Sequence, residues 1–118
     1  MRRNQWKVWT MVRMPAPIQP QGQSDDVHQA VIALGNGLRA AIIHELKQGP
    51  LLGPELNERL SLPSGTVTPQ LAALRDLGVV VSETQTGRGR PTLHTLHKAR
   101  TRELLETLGD YLLGDNPS

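Results

Sequence analysis

Residues 53–96 read GPELNERLSLPSGTVTPQLAALRDLGVVVSETQTGRGRPTLHTL, and this stretch decides the fold. Its first half predicts two short amphipathic helices joined by a tight turn, one beginning at Pro54 and one ending near Leu77. A run of valines then indicates a β-strand, and a second strand follows the glycine-rich turn at residues 87–91. Two helices and a basic hairpin are therefore predicted in direct succession.

Three further helices are predicted, two before this stretch and one after it. The first is capped by Ser24 or Asp25 and ends at the Gly-Asn-Gly sequence of residues 35–37. The second has apolar side chains at helical spacing and ends near residue 48, before a Gly-Pro pair. The third extends from about residue 97 to 113. The predicted fold class is mainly α with a small β-hairpin, in the order helix, helix, helix, helix, strand, strand, helix.

The domain boundaries follow from composition. Residues 14–24 hold three prolines among polar residues and cannot maintain a helix. We therefore expect residues 1–23 to form a basic N-terminal arm and proline-rich linker, and residues 24–115 to form the folded domain. Trp6 and Trp9 lie in the arm, where they either dock on the domain or a partner subunit or lack a fixed structure.

The charges are segregated along the chain, although the net charge of its 118 residues is only +2. Residues 84–102 carry five basic and no acidic side chains, and residues 1–23 carry four basic and no acidic ones. Residues 103–118 carry four acidic and no basic ones. This distribution predicts an anionic partner for particular segments of the chain.

Composition and motifs exclude several classes of protein. The absence of cysteine rules out disulfides, thiol nucleophiles and cysteine-ligated metals. We find no glycine-rich phosphate loop, nucleophile elbow or apolar carboxylate pair in the sequence, so neither an enzyme activity nor a cofactor is predicted. Lys7, Thr10 and Arg13 interrupt any apolar run long enough for a signal peptide or a membrane span, and we expect a cytoplasmic protein without a membrane partner.

A helix pair followed by a basic hairpin is typical of a winged helix-turn-helix, in which the second helix enters the DNA major groove and the hairpin reaches an adjacent groove or the phosphates. We next consider the helix predicted to end near Leu77, the second of this pair. Near its start, the exposed side chains are uncharged and either small or able to form hydrogen bonds, and Gln70 among them suits adenine. An ordinary solvated helix face is the alternative interpretation. The candidate DNA-binding residues on this helix are Ser64, Gly65, Thr66, Thr68, Pro69 and Gln70.

The hairpin tip provides two further DNA-binding candidates, Arg88 and Arg90. They lie between two glycines and a proline, which predicts a narrow loop with projecting guanidinium groups. The negative potential of a narrow minor groove favours arginine, so we expect contacts with that groove or its phosphates. A tip kept soluble by its charge is the alternative. Lys98, Arg100 and Arg102 extend the basic stretch, either as phosphate contacts or as solvated side chains.

These motifs resemble two families of bacterial repressors, ArsR and PadR. Residues 33–39, Ala-Leu-Gly-Asn-Gly-Leu-Arg, look like the opening of both, whereas residues 48–56, 64–71 and 89–91 are closer to PadR. PadR proteins tolerate a proline at the place of Pro69, which would cost about 3 kcal/mol in an ordinary helix interior. The predicted hairpin, which is the wing of this fold, lacks the aromatic pair that is usual in PadR. The resemblance covers about residues 33–113 and implies a winged helix-turn-helix transcriptional repressor.

The resemblance also implies a homodimer that forms through terminal helices and binds double-stranded DNA at an inverted repeat. The last predicted helix has a strongly apolar side, which needs a partner surface. Packing against the helix that begins near residue 25 would cover the same side chains, and both arrangements can hold together. The candidate dimerisation residues are Leu104, Leu105, Leu108, Tyr111 and Leu112.

Two rival functions remain open. His94 and His97 have a His-x-x-His spacing that could belong to a metal-responsive repressor of the ArsR type, because neutral imidazole is a good metal ligand. A closed zinc site needs four donors and the sequence offers no companion cluster, so no metal-binding residue is predicted. We expect His94 to be a half-exposed strand residue and His97 to be a helix cap. The other rival is a winged helix that binds proteins.

Overall fold

The structure, a computed structural model, describes residues 20–114. Within that range the chain forms the predicted order of elements with one additional strand. The elements are α1 (Asp25–Leu34), α2 (Gly37–Leu46), β1 (Leu51–Leu52), α3 (Gly53–Arg59), α4 (Val67–Asp76), β2 (Val80–Thr84), β3 (Thr92–Leu96) and α5 (Lys98–Leu113). None of these helices has the length and apolar character needed to span a membrane. Trp6 and Trp9, with most of the predicted arm, lie outside the described residues.

Side-chain caps begin three of the helices. Ser24 Oγ and Asn36 Oδ1 each accept a hydrogen bond from the backbone N–H three residues later, at 3.2 Å and 3.0 Å. His97 Nδ1 accepts one from the N–H of Arg100 at 3.0 Å, which confirms the predicted cap. A side-chain cap supplies an acceptor to an N–H that has none within the helix, and such caps contribute about 1 kcal/mol.

The strand β1 was not predicted. It pairs antiparallel with β3, so the sheet has the order β1-β3-β2 and β3 is its central strand. His94 of β3 is consequently flanked by Leu51 of β1 and Ser82 of β2. A strand of two residues is too short to show an alternating pattern, which is why the sequence predicts only the hairpin.

The core is aliphatic and lies between the helices and one face of the sheet. Of all the helix pairs, α1 and α5 make the most extensive contact. Leu104 of α5 is 1% exposed, so its assignment to the dimer surface is wrong: the side chain lies in the core of the domain. The largest fully buried side chains are Ile42, Leu46, Leu56, Val67, Leu74, Val79 and Leu104.

The proline in α4 occupies a position where it costs little. Because α4 begins at Val67, Pro69 is the third residue of the helix. The first four N–H groups of a helix have no acceptor within it, so the missing N–H of proline is no loss there. The N–H of Val67 is instead directed at Oδ1 of Asn57 in α3, at 3.4 Å. The cost of about 3 kcal/mol for an interior proline therefore does not apply.

Candidate nucleic-acid interface

The residues predicted to read DNA lie together at the start of α4 and in the turn that precedes it. Ser64, Gly65, Thr68 and Pro69 are exposed, whereas Thr66 and Gln70 are half-buried. Gly65 has φ +83°, a left-handed conformation that favours glycine, and a side chain there would meet open space. The turn and the first helical turn thus present a small, uncharged surface, as the sequence predicts.

The wing tip is a narrow turn that exposes both of its arginines. Gln85 N–H donates to the carbonyl of Pro91 at 2.7 Å, which closes the turn beyond the last paired residues of the hairpin. Arg88 and Arg90 are exposed within it. Arg90 has φ +45°, a left-handed conformation that costs a non-glycine residue about 1 kcal/mol. The tip therefore carries two cations on a constrained loop.

The wing is bonded to α4 through a chain of three side chains. Arg75 Nη1 of α4 donates to Ser82 Oγ of β2 at 3.2 Å, and Ser82 Oγ lies 2.7 Å from His94 Nδ1 of β3. Arginine has only donors, so the Ser82 oxygen accepts from it and the hydroxyl proton is available for Nδ1. The second lone pair of the same oxygen can instead accept from an Nδ1–H, so the direction of the Ser82–His94 hydrogen bond follows the tautomer of the imidazole.

His94 is buried, which corrects the expectation of a half-exposed strand residue. It is 6% exposed because β1, absent from the sequence prediction, covers the side of β3 that the hairpin leaves open. Burial and, secondarily, the nearby Arg75 guanidinium lower the pKa of His94 from its usual 6.5. The surroundings of His94 therefore favour the neutral imidazole.

A groove of about 290 Å³ separates α4 from the wing. Thr68, Leu71 and Arg75 of α4 lie along one wall, at a helical spacing of three and four residues. Its lining comprises Gly53, Pro54, Thr68, Leu71, Arg75, Thr92 and His94. Arg75 was not among the predicted DNA-binding residues, although its spacing of seven from Thr68 places both on one helix face and could have identified it.

Gln70 is held by an arginine from another helix. Arg39 Nε of α2 donates to Gln70 Oε1 at 2.9 Å, and Arg39 Nη1 donates to the carbonyl of Ile32 in α1 at 2.7 Å. Both bonds are partly buried. No local sequence signal indicates this contact, because Arg39 and Gln70 are 31 residues apart.

The basic stretch that follows the wing is divided between the interior and the surface. Arg100 is half-buried and donates to the carbonyl of Leu77 at 3.0 Å and to Gln29 Oε1 of α1 at 3.0 Å, and it also pairs with Glu103. Its guanidinium therefore joins the end of α4 to α1 and is engaged within the domain. Lys98 and Arg102 are exposed.

The apolar side of α5 is partly covered and partly exposed. Leu108 packs against the core together with Leu104. Leu105, Tyr111 and Leu112 are 59%, 48% and 65% exposed. Further apolar exposure comes from Leu113 of α5 and Val31 of α1. Some apolar side chains of α5 therefore pack on the domain, and others face outward.

The histidines do not converge on a site in the part of the chain that the structure describes. No three His, Asp or Glu side chains between residues 20 and 114 lie close enough together to hold a metal ion. The Nδ1 atom of His94 is bonded to Ser82, and that of His97 caps α5. The His-x-x-His spacing thus has a structural explanation at each of its two positions.

Comparison with known proteins links this arrangement to transcriptional regulators. No protein-family model matches the chain. The HTH-type transcriptional regulator NmtR of Mycobacterium tuberculosis is 31% identical over 94 residues, which are 80% of this chain and 75% of NmtR. The crystal structure of an ArsR family transcriptional regulator superposes with a TM-score of 0.61 at 20% identity, over 74% of this chain and 92% of that one.

A second solved structure has the same fold. It is the homodimeric winged helix-turn-helix DNA-binding domain of Mb0332 from Mycobacterium bovis, a possible ArsR-family transcriptional regulator. It superposes with a TM-score of 0.57 at 21% identity and covers 84% of this chain and 99% of that one. The predicted winged helix-turn-helix fold is confirmed by these neighbours.

Proposed function

The chain belongs to the ArsR family of winged helix-turn-helix transcriptional regulators, and from this we propose that it is a homodimeric repressor that binds an inverted-repeat operator in double-stranded DNA. Of the two resemblances seen in the sequence, the relatives support ArsR, and the likeness to PadR is limited to motifs. Regulators of this kind act without catalysis, and we propose no enzyme activity for the chain. Binding to the chromosome would place it in the cytoplasm.

The observation that carries the proposal is the pairing of an uncharged helix start with a cationic wing that is bonded to the same helix. The exposed surface around Thr68 is small enough for close approach to the floor of a major groove. The exposed Arg88 and Arg90 would contact the adjacent minor groove or its phosphates. Ser64, Gly65, Thr66, Pro69 and Gln70 complete the proposed reading surface.

The Arg75 side chain, which lines the groove between α4 and the wing, adds a positive charge to this interface. Arg75 lies between α4 and the wing, on the same helix face as Thr68. Its bond to Ser82 joins the reading helix to the wing, so that two elements which contact different grooves would approach the duplex as one body. Arginine also binds phosphate well, and we add Arg75 to the proposed interface.

The proposed dimer surface consists of the exposed apolar side chains of α5 together with Val31 of α1. This surface retains Leu105, Tyr111 and Leu112 from the sequence prediction. Leu108 lies at the edge of the proposed surface, and Leu104 is excluded because it is buried. A twofold dimer presents two reading helices, which predicts half-sites about one or two helical turns apart, at about 10 bp for each turn. Occupation of a promoter by such a dimer would block transcription.

Selection of bound DNA from a random pool tests the proposal, with the mass of the protein–DNA complex measured on the enriched sequence. We expect an enriched palindrome bound by two chains. The variant Thr68→Glu, which places a carboxylate on the reading surface, should lose this enrichment, while Gln48→Glu makes the same change of charge at an exposed residue beyond the end of α2 and should retain it. A wild-type protein that enriches no sequence would contradict the proposal and favour a protein-binding winged helix.

A further inference from the structure

A cavity of about 550 Å³, larger than the groove beside the wing, lies where the end of α4, the start of β2 and the first turns of α5 meet. We propose that it binds a small organic anion, a carboxylate on an apolar body, and that this ligand weakens DNA binding by engaging Arg75. The effect on DNA rests on the proposed function, whereas the binding of the anion does not. The volume is typical of small-molecule sites, which are mostly apolar with a few polar groups.

Aliphatic side chains supply the apolar part of the lining. Val80 belongs to the buried core, whereas Val81, the next residue of β2, is exposed. Ala99, in the first turn of α5, is exposed as well. Covering these side chains with an apolar ligand would remove apolar surface from water, which is favourable. The cavity therefore suits a ligand with an apolar body.

The charged side chains of the lining leave one positive charge without a counterion. Arg100 and Glu103 form an ion pair with each other, so their charges compensate. Arg75 makes no salt bridge within residues 20–114, and it uses only an Nη1 donor for its bond to Ser82. A guanidinium group carries five donors in a planar fork that matches a carboxylate. An anionic group on the ligand would therefore complement the lining.

His97 adds a ring N–H to the same lining. Its Nδ1 accepts a hydrogen bond from the backbone N–H of Arg100, and because a backbone N–H can only donate, the proton of the neutral ring lies on Nε2. The side chain of His97 is exposed, so this N–H remains for a ligand. The cavity thus combines a cation, a hydrogen-bond donor and an apolar wall, which together suit an amphipathic carboxylate.

Arg75 connects this cavity with the proposed DNA-binding surface, because its side chain lines both the cavity and the groove between α4 and the wing. A carboxylate bound to the guanidinium would occupy donors that a DNA phosphate needs, and its negative charge would repel that phosphate. The coupling is reciprocal: the anion lowers the affinity for DNA by the same factor by which DNA lowers the affinity for the anion. The ligand should therefore release the protein from its operator.

Binding is tested with cyclohexanecarboxylate, which is titrated into the full chain without DNA and followed by two-dimensional NMR. We expect saturable shifts of the amide signals of Gly78 and Val81, with a dissociation constant below about 10 mM. Cyclohexanecarboxamide has the same shape without the charge, and inorganic phosphate has the charge without the apolar body. Each of these two compounds should bind at least about tenfold more weakly, because each lacks one of the two kinds of contact.

Variants of the lining test which side chains hold the anion. Arg75→Gln removes the cation and should weaken binding of cyclohexanecarboxylate about tenfold. Ala99→Glu places a carboxylate in the lining, at an exposed position in the first turn of α5 where the helix dipole favours an acidic side chain. This variant should therefore fold but repel the ligand. Gln48→Glu adds the same charge at an exposed residue beyond the end of α2 and should bind as the wild type does.

The effect on DNA is measured as the ratio of two affinities for the selected palindrome, one without and one with saturating cyclohexanecarboxylate. We expect the affinity of the wild type and of Gln48→Glu to fall at least about fivefold when the anion is added. The affinity of Ala99→Glu should not respond to the same concentration, because that variant does not bind the anion.

The outcomes separate the anion site, its effect on DNA and the proposed function. The site is overturned if cyclohexanecarboxylate does not shift the signals of Gly78 and Val81, if the carboxamide or phosphate binds equally well, or if Arg75→Gln or Ala99→Glu binds as the wild type does. A bound anion that leaves the affinity for DNA unchanged, or raises it, overturns the competition through Arg75 while the site stands. A protein that selects no DNA sequence overturns the proposed function together with that competition, whereas the NMR titration still decides whether the site exists.

Discussion

Arg75 in the fourth helix donates a hydrogen bond to Ser82 in the first strand of the wing, across 3.2 Å. Ser82 is bonded in turn to His94 at the centre of the sheet. The two parts of the proposed DNA-binding surface are thereby joined by side chains as well as by the short connection of residues 77–79. The stability of the wing and its position relative to the helix should therefore depend on this chain of bonds.

Ser82→Ala should destabilise the protein more than the loss of one hydroxyl group normally does. The substitution leaves Nδ1 of the buried His94 without its hydrogen-bond partner, and an unsatisfied buried polar atom costs about 1–3 kcal/mol. Unfolding in urea at neutral pH measures the effect. Thr86→Ala removes an exposed hydroxyl from the wing loop and is expected to change the free energy of unfolding by no more than about 0.5 kcal/mol. Equal effects of the two substitutions would contradict the proposed role of Ser82.

Acid should weaken the fold through His94. Its pKa is lowered in the folded state, so near pH 6.5 the unfolded chain binds more protons than the folded one. The contribution of neutral His94 to the free energy of unfolding is fully present above that pH. It is lost as the pH falls toward the lowered pKa, by at most about 1.4 kcal/mol for each pH unit crossed.

The variant His94→Gln isolates this contribution, because an amide can still bond to Ser82 but does not titrate in this range. We expect the free energy of unfolding of the wild type to fall more between about pH 7.5 and about pH 5.5 than that of the variant. His44→Gln, at an exposed position of α2, should follow the wild type. A variant at residue 94 with the full pH dependence of the wild type would show that another group is responsible.

The fold could be predicted from the sequence wherever the determining interactions are local. Ser24 and His97 each cap a helix through the N–H three residues later, and such signals are visible in the sequence itself. The strand β1 could not be predicted in this way, because its two residues become a strand only by pairing with β3, about 42 residues further along the chain. The burial of His94 was missed for the same reason.

The candidate site shows the same distinction between local and distant interactions. Composition and spacing identify the uncharged start of α4 and the arginines of the wing, because each is a contiguous segment. The bond from Arg39 to Gln70 joins residues far apart in the chain, so no contiguous segment indicates it. Helical periodicity likewise identifies the apolar side of α5, but it does not show that Leu104 is buried within the domain while Leu105 is exposed.

Removal of both wing arginines, in Arg88→Ala/Arg90→Ala, should weaken binding to every DNA sequence. If these side chains contact phosphates, the slope of log affinity against log salt should decrease by up to about 0.9 for each lost contact. Fluorescence anisotropy over a series of salt concentrations measures both quantities. Lys47→Ala/Arg59→Ala removes the same net charge from exposed positions outside the proposed interface and serves as the control. Unchanged affinity and slope in the wing variant would show that the wing does not contact DNA.

The exposed leucines of α5 should hold the dimer together. In Leu105→Glu/Leu112→Glu, two carboxylates would have to be buried without partners at the interface, so we expect the mass in solution to change from two chains to one. Light scattering after gel filtration measures this mass, and affinity for a palindromic operator should fall because the half-sites are no longer bound together. Val81→Glu places a charge at a residue of β2 that is 52% exposed and should remain dimeric. A leucine variant that keeps the mass of two chains would place the dimer interface elsewhere.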